Sequence, residues 1–181
     1  MRHTISVLVE NKFGVLARIA GLVSGRGYNI ESLTVGPTHD QTMSKMTIVT
    51  SGDDNILEQI EKQLNKLVDV LQVTDLTGSG FAARELMLIK VKAAPGKRGE
   101  IIQIAGVFKA NVIHMHQNSL ILEFTGRSEK IDAFIQLMEP YGIIELARTG
   151  RVALARSGEP TEKLAARSAA APTEDEDTTP A

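Results

Sequence analysis

The sequence contains the same order of predicted secondary structure twice, and this repeat limits the folds that the chain can adopt. Apolar residues alternate or run together where strands are expected, and they recur every three or four residues where helices are expected. In each half the order is strand, helix, strand, strand, helix, strand. Between the halves lies Thr77-Gly78-Ser79-Gly80, a small-residue segment that is typical of a linker. Two units in tandem are therefore predicted.

Each unit matches the split βαβ arrangement, in which four strands form an antiparallel sheet and both helices cover one of its faces. We therefore predict an α+β protein built from two ferredoxin-like βαββαβ units. Residues 1–76 are assigned to the first unit, 77–84 to the linker and 85–156 to the second unit. Residues 157–181 are mostly Ala, Pro, Thr, Glu and Asp without periodicity, which predicts a disordered acidic tail.

Composition excludes several classes of protein. The chain contains no cysteine, which rules out disulfides and cysteine-based metal or redox sites. No apolar run is long enough to span a bilayer, and a strand pattern begins at the N-terminus, so neither a membrane protein nor a targeting peptide is predicted. We expect a cytoplasmic protein. The formal net charge is only −2, so nucleic acid is not an expected partner either.

The sequence shows no arrangement of residues that is typical of an enzyme active site. It has no nucleophile elbow, no phosphate-binding Gly-Lys loop and no series of metal ligands at a standard spacing. His114 and His116 lie two residues apart in a predicted strand and face the same way, but no third ligand lies nearby in the sequence. Solvated or hydrogen-bonded histidines are the more usual meaning of this pattern, so no metal site is predicted.

The residues that flank the first predicted helix are suited to binding a small amino acid. Gly14 precedes the helix, where free backbone N–H groups and the helix dipole favour an anion, and glycine allows a ligand to approach closely. Asn11 and Asn29 carry amide oxygens that can accept hydrogen bonds from an ammonium group. Leu16 and Ile30 can form an apolar wall. Such residues are also common in turns and helix caps, so their spacing alone leaves a purely structural role open.

Two long motifs show a family resemblance. They are the run RGYNIESLTV at residues 26–35 and the run LEQIEKQLNKL at residues 57–67. With them, the chain resembles the small regulatory subunit of acetolactate synthase (acetohydroxyacid synthase), and its first unit resembles an ACT domain. The resemblance continues through Ala147-Arg148-Thr149-Gly150 to about Arg156. It thus covers nearly the whole chain apart from the tail.

This resemblance implies a regulatory protein without an active site of its own. Such subunits bind a separate large catalytic subunit, raise its activity and confer feedback inhibition by branched-chain amino acids, chiefly valine. The large subunit carries thiamine diphosphate, Mg²⁺ and usually FAD, so no cofactor is expected on this chain. ACT domains of this family pair side by side as a homodimer, with the effector at the interface. The family's contact positions correspond to Asn11, Gly14, Val15 and Leu16 of one chain and to Asn29 and Ile30 of its partner.

The expected sheet order leaves the second strand, Tyr28 to Val35, at an edge where the same strand of a second copy can pair with it. Two alternatives remain open. A freestanding ACT-type sensor would control another enzyme or a transcription factor. A hydrolase of the acylphosphatase type shares the topology, but it would need an arginine-bearing anion loop where this chain has Asn11-Lys12-Phe13-Gly14.

Overall fold

A computed structural model describes residues 2–25, 28–77 and 80–156 of the chain, and it contains the two predicted units. The first unit consists of β1 (Arg2–Glu10), α1 (Val15–Ser24), β2 (Ile30–Pro37), β3 (Met43–Ser51), α2 (Asp54–Leu64) and β4 (Val70–Asp75). The second consists of β5 (Phe81–Lys92), α3 (Arg98–Phe108), β6 (Asn111–His116), β7 (Ser119–Gly126), α4 (Ser128–Met138), a 3₁₀ turn (Glu139–Tyr141), β8 (Ile143–Arg148) and β9 (Val152–Ala155). The predicted fold class is confirmed.

Alternation along β1 decides which face of the first sheet meets the helices. Ile5, Val7 and Val9 point to one side and are fully buried in the core of this unit. The predicted N-cap of α2, Asp53, accepts a hydrogen bond from the backbone N–H of Ile56 at 2.9 Å. The helices bury their own apolar stripes against the same core: Val15, Ile19 and Val23 from α1, and Leu57, Ile60 and Leu64 from α2.

The second unit has an equivalent core that includes a cluster of aromatic rings. Phe108, Phe124 and Phe134 lie with their ring centroids 5.1–5.8 Å apart, the distance at which edge-to-face and tilted pairs are favourable. Around them β5 contributes a buried alternating set, Met87, Ile89 and Val91. None of the helices in the described ranges is both long and apolar enough to cross a membrane.

The sheet order places β2 at an edge, as predicted. The first sheet runs β2-β3-β1-β4 and the second runs β6-β7-β5-β8, with all the paired strands antiparallel. Within the described residues β2 pairs with β3 alone, so the backbone groups on its other side are available to another strand. Val35 on this strand is 41% exposed, which is unusual for a large apolar side chain in a sheet.

A short strand that the sequence did not predict joins the two units. β9 pairs with the first part of β5, from Phe81 opposite Ala155 to Arg84 opposite Val152. Residues 81–84, which were assigned to the linker, therefore belong to a strand, because β9 supplies their hydrogen-bonding partners. The predicted acidic tail, 157–181, lies outside the described residues, as do Gly78 and Ser79 of the linker.

β9 also contacts the face of the first sheet that the helices leave uncovered. Thr47 alternates with the core residues of β3, so its side chain points to this opposite face. Its hydroxyl accepts a hydrogen bond from the N–H of Ala153 at 3.3 Å, and Ala153 is only 2% exposed. Just before β9, the N–H of Arg151 donates to the Ser32 hydroxyl of β2 at 3.3 Å. The end of the second unit is thus packed against the first.

Enlarging Gly150 at this junction should destabilise the protein. A β-carbon there would lie 2.4 Å from the Thr34 hydroxyl oxygen and 3.2 Å from the backbone of Leu33. We expect Gly150→Val to lower the free energy of unfolding by about 1–3 kcal/mol in urea denaturation, because the junction must shift. Gly106→Ala is the matched control, since a β-carbon on this helical glycine meets nothing within 4 Å. An equal loss in both variants would contradict the described packing.

Candidate functional site

The loop between β1 and α1 presents an uncapped helix start to solvent. Gly14 is the N-cap residue and has φ = 84°, a left-handed conformation that glycine adopts without steric cost. No side chain in the described residues caps this helix, and its first turn contains no acidic residue. The backbone N–H of Val15 reaches the carbonyl of Lys12 only at 3.4 Å. The N–H of Arg18 bonds to the carbonyl of Gly14 at 3.0 Å, so the N–H groups of Leu16 and Ala17 remain available to an anion.

Two hydrogen bonds fix the position of Asn11 and leave its side-chain amide oxygen without a partner in the described residues. Its backbone N–H donates to the carbonyl of Thr42 at 2.7 Å, and its side-chain Nδ2 donates to the carbonyl of Gln41 at 2.8 Å. The amide oxygen Oδ1 accepts no hydrogen bond from the described part of the chain. It is the atom that can accept a hydrogen bond from an ammonium group next to the helix start.

The cations nearest to this loop are already neutralised within the protein. Lys12 pairs with Glu10 at 2.6 Å, and the hydrogen bond to that carboxylate raises the pKa of Lys12 above its usual value. Arg18 forms an ion pair with Asp69. A carboxylate arriving at the loop would consequently meet the backbone N–H groups of α1 and not a free side-chain charge.

Apolar side chains around the loop are divided between core and surface. Val15 is 3% exposed and belongs to the core, so it can offer a ligand only its backbone. Leu16 is 41% exposed and can form a wall of a pocket. Phe13 is fully exposed, so its ring is free to contact another molecule at this loop.

Asn29 and Ile30, the other two predicted site residues, lie at the opposite end of the sheet. Ile30 pairs with Thr50 at one end of β3, whereas Glu10, next to Asn11, pairs with Met43 at the other end. Seven residues of strand separate these positions, which corresponds to roughly 23 Å. One chain therefore does not bring all six predicted residues together.

A buried charged network, which the sequence reasoning missed, lies at the junction of the two units. Glu85 of β5 is buried, and its carboxylate accepts hydrogen bonds from Arg148 at 2.6 and 2.9 Å and from the Ser128 hydroxyl. Arg151 donates to the Thr4 hydroxyl of the first unit at 2.9 Å and to the Ser128 hydroxyl of the second at 2.8 Å. The available signal was a carboxylate directly before the apolar run Leu86-Met87-Leu88-Ile89 of β5.

The electrostatics of this network favour its charged form. Burial by itself lowers the pKa of Arg148, but hydrogen bonds to the carboxylates of Glu85 and Asp132 outweigh burial, and the pKa is raised above its usual value. Arg148 also reaches Asp132 on α4 at 2.8 Å. The guanidinium thus stays protonated and holds β8, β5 and α4 together.

The two histidines of β6 lie on an exposed edge strand. A bulge between Val112 and His114 changes the register there, and both His114 and His116 are exposed. Among the described residues, no group of three His, Cys, Asp or Glu side chains is placed to hold a metal ion.

Comparison with known proteins identifies the family of the chain. Residues 5–72 match the family model described as the AHAS small subunit-like ACT domain, and residues 84–157 match the one described as the small subunit of acetolactate synthase. The chain belongs to the acetolactate synthase small-subunit family. The resemblance inferred from the two sequence motifs is confirmed, and it extends over both units.

Relatives in this family are similar along almost their entire length. A probable acetolactate synthase small subunit of Archaeoglobus fulgidus is 55% identical over 156 residues, which cover 86% of this chain and 98% of that protein. The acetolactate synthase small subunit of Mycolicibacterium smegmatis is 49% identical over 154 residues, covering 85% and 91% of the two chains. The crystal structure of the small subunit from Thermotoga maritima superposes with a TM-score of 0.81 at 39% identity, covering 88% and 99%.

The pH dependence of stability should reveal the ion pair beside Asn29 and Ile30. Hydrogen bonds from Ser51 and Arg2 lower the pKa of Glu31 below its ordinary value of 4.5, despite partial burial. The stabilisation is therefore complete above pH 4.5 and is lost as the pH falls through the lowered pKa. Glu31→Gln should remove about 1 kcal/mol at pH 7 and flatten the decline of stability below pH 4.5, as measured by urea denaturation.

A matched control for this variant is Glu145→Gln on β8. The Glu145 carboxylate makes no hydrogen bond or ion pair within the described residues, so its removal should leave stability at pH 7 unchanged. If the two variants showed the same dependence of unfolding free energy on pH, the contacts of Glu31 with Ser51 and Arg2 would not contribute to stability in solution.

Proposed function

We propose that this chain is the regulatory subunit of an acetolactate synthase, and that it activates the large catalytic subunit and makes it sensitive to feedback inhibition by valine. Membership of the small-subunit family, over both units, supports the partnership with a large subunit. The observation that carries the effector part is the uncapped start of α1 at Gly14, with the free amide oxygen of Asn11 beside it.

The chemistry of this loop fits the three parts of a valine zwitterion. Its carboxylate would accept hydrogen bonds from the first free N–H groups of α1, where the helix dipole also favours negative charge. Its ammonium would donate to Oδ1 of Asn11, and its branched side chain would contact Leu16. A pocket of this kind distinguishes one methylene by only about 1–3 kcal/mol, so leucine and isoleucine should bind as well, with different affinities.

The second half of the site, in this proposal, comes from a second copy of the chain. Asn29 and Ile30 lie roughly 23 Å from the loop of their own chain, at the other end of β3. If the free edge of β2 pairs antiparallel with β2 of a second copy, the start of each strand lies beside the end of the other. This homodimer would place Asn29 and Ile30 of one copy near Asn11 and Gly14 of the other, and it would create two equivalent sites.

Catalysis and its cofactors belong to the large subunit in this proposal. Thiamine diphosphate, Mg²⁺ and FAD would all lie on that chain, in a cytoplasmic complex. Valine would bind preferentially to the dimer arrangement that supports the large subunit poorly. Coupling between such sites is typically about 1–3 kcal/mol, which corresponds to a 5–150-fold change in affinity.

Reconstitution tests the proposed function directly. Purified large subunit should form acetolactate faster when this chain is added, and valine should reverse the gain, because valine shifts the dimer away from its activating arrangement. The measurement is the rate of acetolactate formation by the large subunit alone, with this chain added, and with this chain and valine added. If this chain changes neither the rate nor the response to valine, the proposal is wrong. A freestanding sensor of another enzyme would give that result while still binding valine in calorimetry.

A mixed dimer tests whether each valine site is shared between two copies. Gly14→Asp should block the loop, and Asp tolerates the left-handed conformation at this position better than most residues. Asn29→Ala should remove the contribution from the other copy. Neither variant alone should bind valine in calorimetry. A dimer with one chain of each kind should regain one intact site, because the unchanged loop of one copy meets the unchanged Asn29 of the other.

The control for this experiment is Gly96→Asp, which places the same charge in the corresponding loop of the second unit. A β-carbon at Gly96 meets no atom within 4 Å, so the substitution should leave valine binding unchanged. If the mixed dimer binds no valine although each variant remains folded and dimeric, the site is not divided between two copies.

A further inference from the structure

A cavity of about 390 Å³ opens beside the start of α4, next to the junction of the two units, and none of the residues proposed above for valine binding lines it. Its volume lies within the usual range for small-molecule sites. Four arginine and two glutamate side chains line it, so the lining is cationic: Arg84, Arg127, Arg151, Arg156, Glu85 and Glu129.

Most of this positive charge has no partner in the protein. The side chains of Arg127 and Arg156 form no hydrogen bond or ion pair within the described residues. Within the same part of the chain, the Arg84 side chain donates only to the backbone carbonyl of Ala83, at 2.7 Å. The carboxylate of Glu85, in contrast, forms an ion pair with Arg148 at 2.6 Å and a longer one with Arg151 at 3.8 Å. Guanidinium groups that share one cavity repel one another, and an anion between them relieves this repulsion.

The start of α4 adds hydrogen-bond donors to the same cavity. The N-cap residue is Arg127, which makes no side-chain capping bond, and the Ser128 hydroxyl donates to Glu85. The backbone N–H groups of Lys130 and Ile131 donate to the carbonyl of Arg127. The N–H groups of Ser128 and Glu129 have no backbone partner in the described chain. The positive end of the helix dipole therefore favours an anion in the cavity, as the arginine side chains do.

We propose that this cavity binds a small molecule that carries a phosphate group. A phosphate monoester has a charge of about −1.5 to −2 at pH 7, which is comparable to the net charge of the cavity lining. Its oxygens also match the fork of N–H groups on arginine better than they match a single ammonium group. Arg151 touches both units, through Thr4 and Ser128, so a ligand held here would bind at the point where the units meet.

Calorimetry of the full-length chain with pyrophosphate as the probe tests this proposal. The ionic strength is kept constant with sodium chloride, so that general screening of charge cannot produce a signal. Unmodified protein should show saturable binding. The double variant Arg127→Gln/Arg156→Gln should weaken binding at least tenfold, since it removes the two unpartnered guanidinium groups. The double variant Lys62→Gln/Lys66→Gln, at the end of α2 and in the turn after it, removes two charges that do not line the cavity, and it should bind pyrophosphate as the unmodified protein does.

Three results would overturn the proposal. They are an absence of saturable binding, equal affinity in the Arg127→Gln/Arg156→Gln variant, and equal affinity for malonate, which would indicate a general carboxylate site. Arg127 and Arg156 are both exposed, so folding of the variant is expected and is checked by its urea denaturation curve. The measurement uses neither valine nor the large subunit, so its failure would leave the proposed regulatory function untouched.

Discussion

The arrangement of the two units depends on the charged network around Glu85 and Arg151. Removing charged groups from water is costly, and only well-placed hydrogen bonds offset the cost. Here the carboxylate of Glu85 is held by Arg148 and by Ser128, while Arg151 extends from the same network to Thr4 in the first sheet. If one of these partners were removed, a buried charge would remain without compensation. The network therefore favours one relative orientation of the units, because Arg151 is hydrogen-bonded to Thr4 of the first unit and to Ser128 of the second.

The topology of the first unit explains why effector binding is proposed to require self-association. A βαβ crossover places the start of α1 and the start of β2 at opposite ends of one sheet. Asn11 and Asn29 are consequently separated by the length of β3, although only 17 residues separate them in the sequence. Free backbone groups on β2 and exposed apolar residues such as Phe13 and Val35 mark the surface that a second copy can cover.

Local patterns in the sequence were sufficient for most of the fold. The apolar stripes of α1 and α2, the capping residue Asp53 and the edge position of β2 all follow from periodicity and connection rules, which act over short distances. β9 was missed because a run of only four apolar residues carries little signal until β5 is available to pair with it. The network around Glu85 was missed for a similar reason, since its members are up to 147 residues apart in the sequence.

In the candidate site, too, the sequence indicates local features better than it indicates how side chains pack. A glycine directly before the first helix could be recognised as a turn residue or a point of close ligand approach, but its left-handed conformation became known only from the structure. The sequence could not show that Val15 is buried and Leu16 exposed, because both residues fit the apolar stripe of the helix equally well. Only the packing in the structure distinguishes them.

Finally, the two similar units differ at the start of their first helices. In α3 the position before the helix is Lys97, and Glu100 in its first turn contributes an internal carboxylate that pairs with Lys97 at 3.1 Å. The hydrogen bond from Tyr141, followed by that from Lys97, lowers the pKa of Glu100, so this carboxylate is ionised at neutral pH. A free amino acid would have to compete with it there. The two units thus present different helix starts, and the proposed effector site of the first unit has no equivalent at the start of α3.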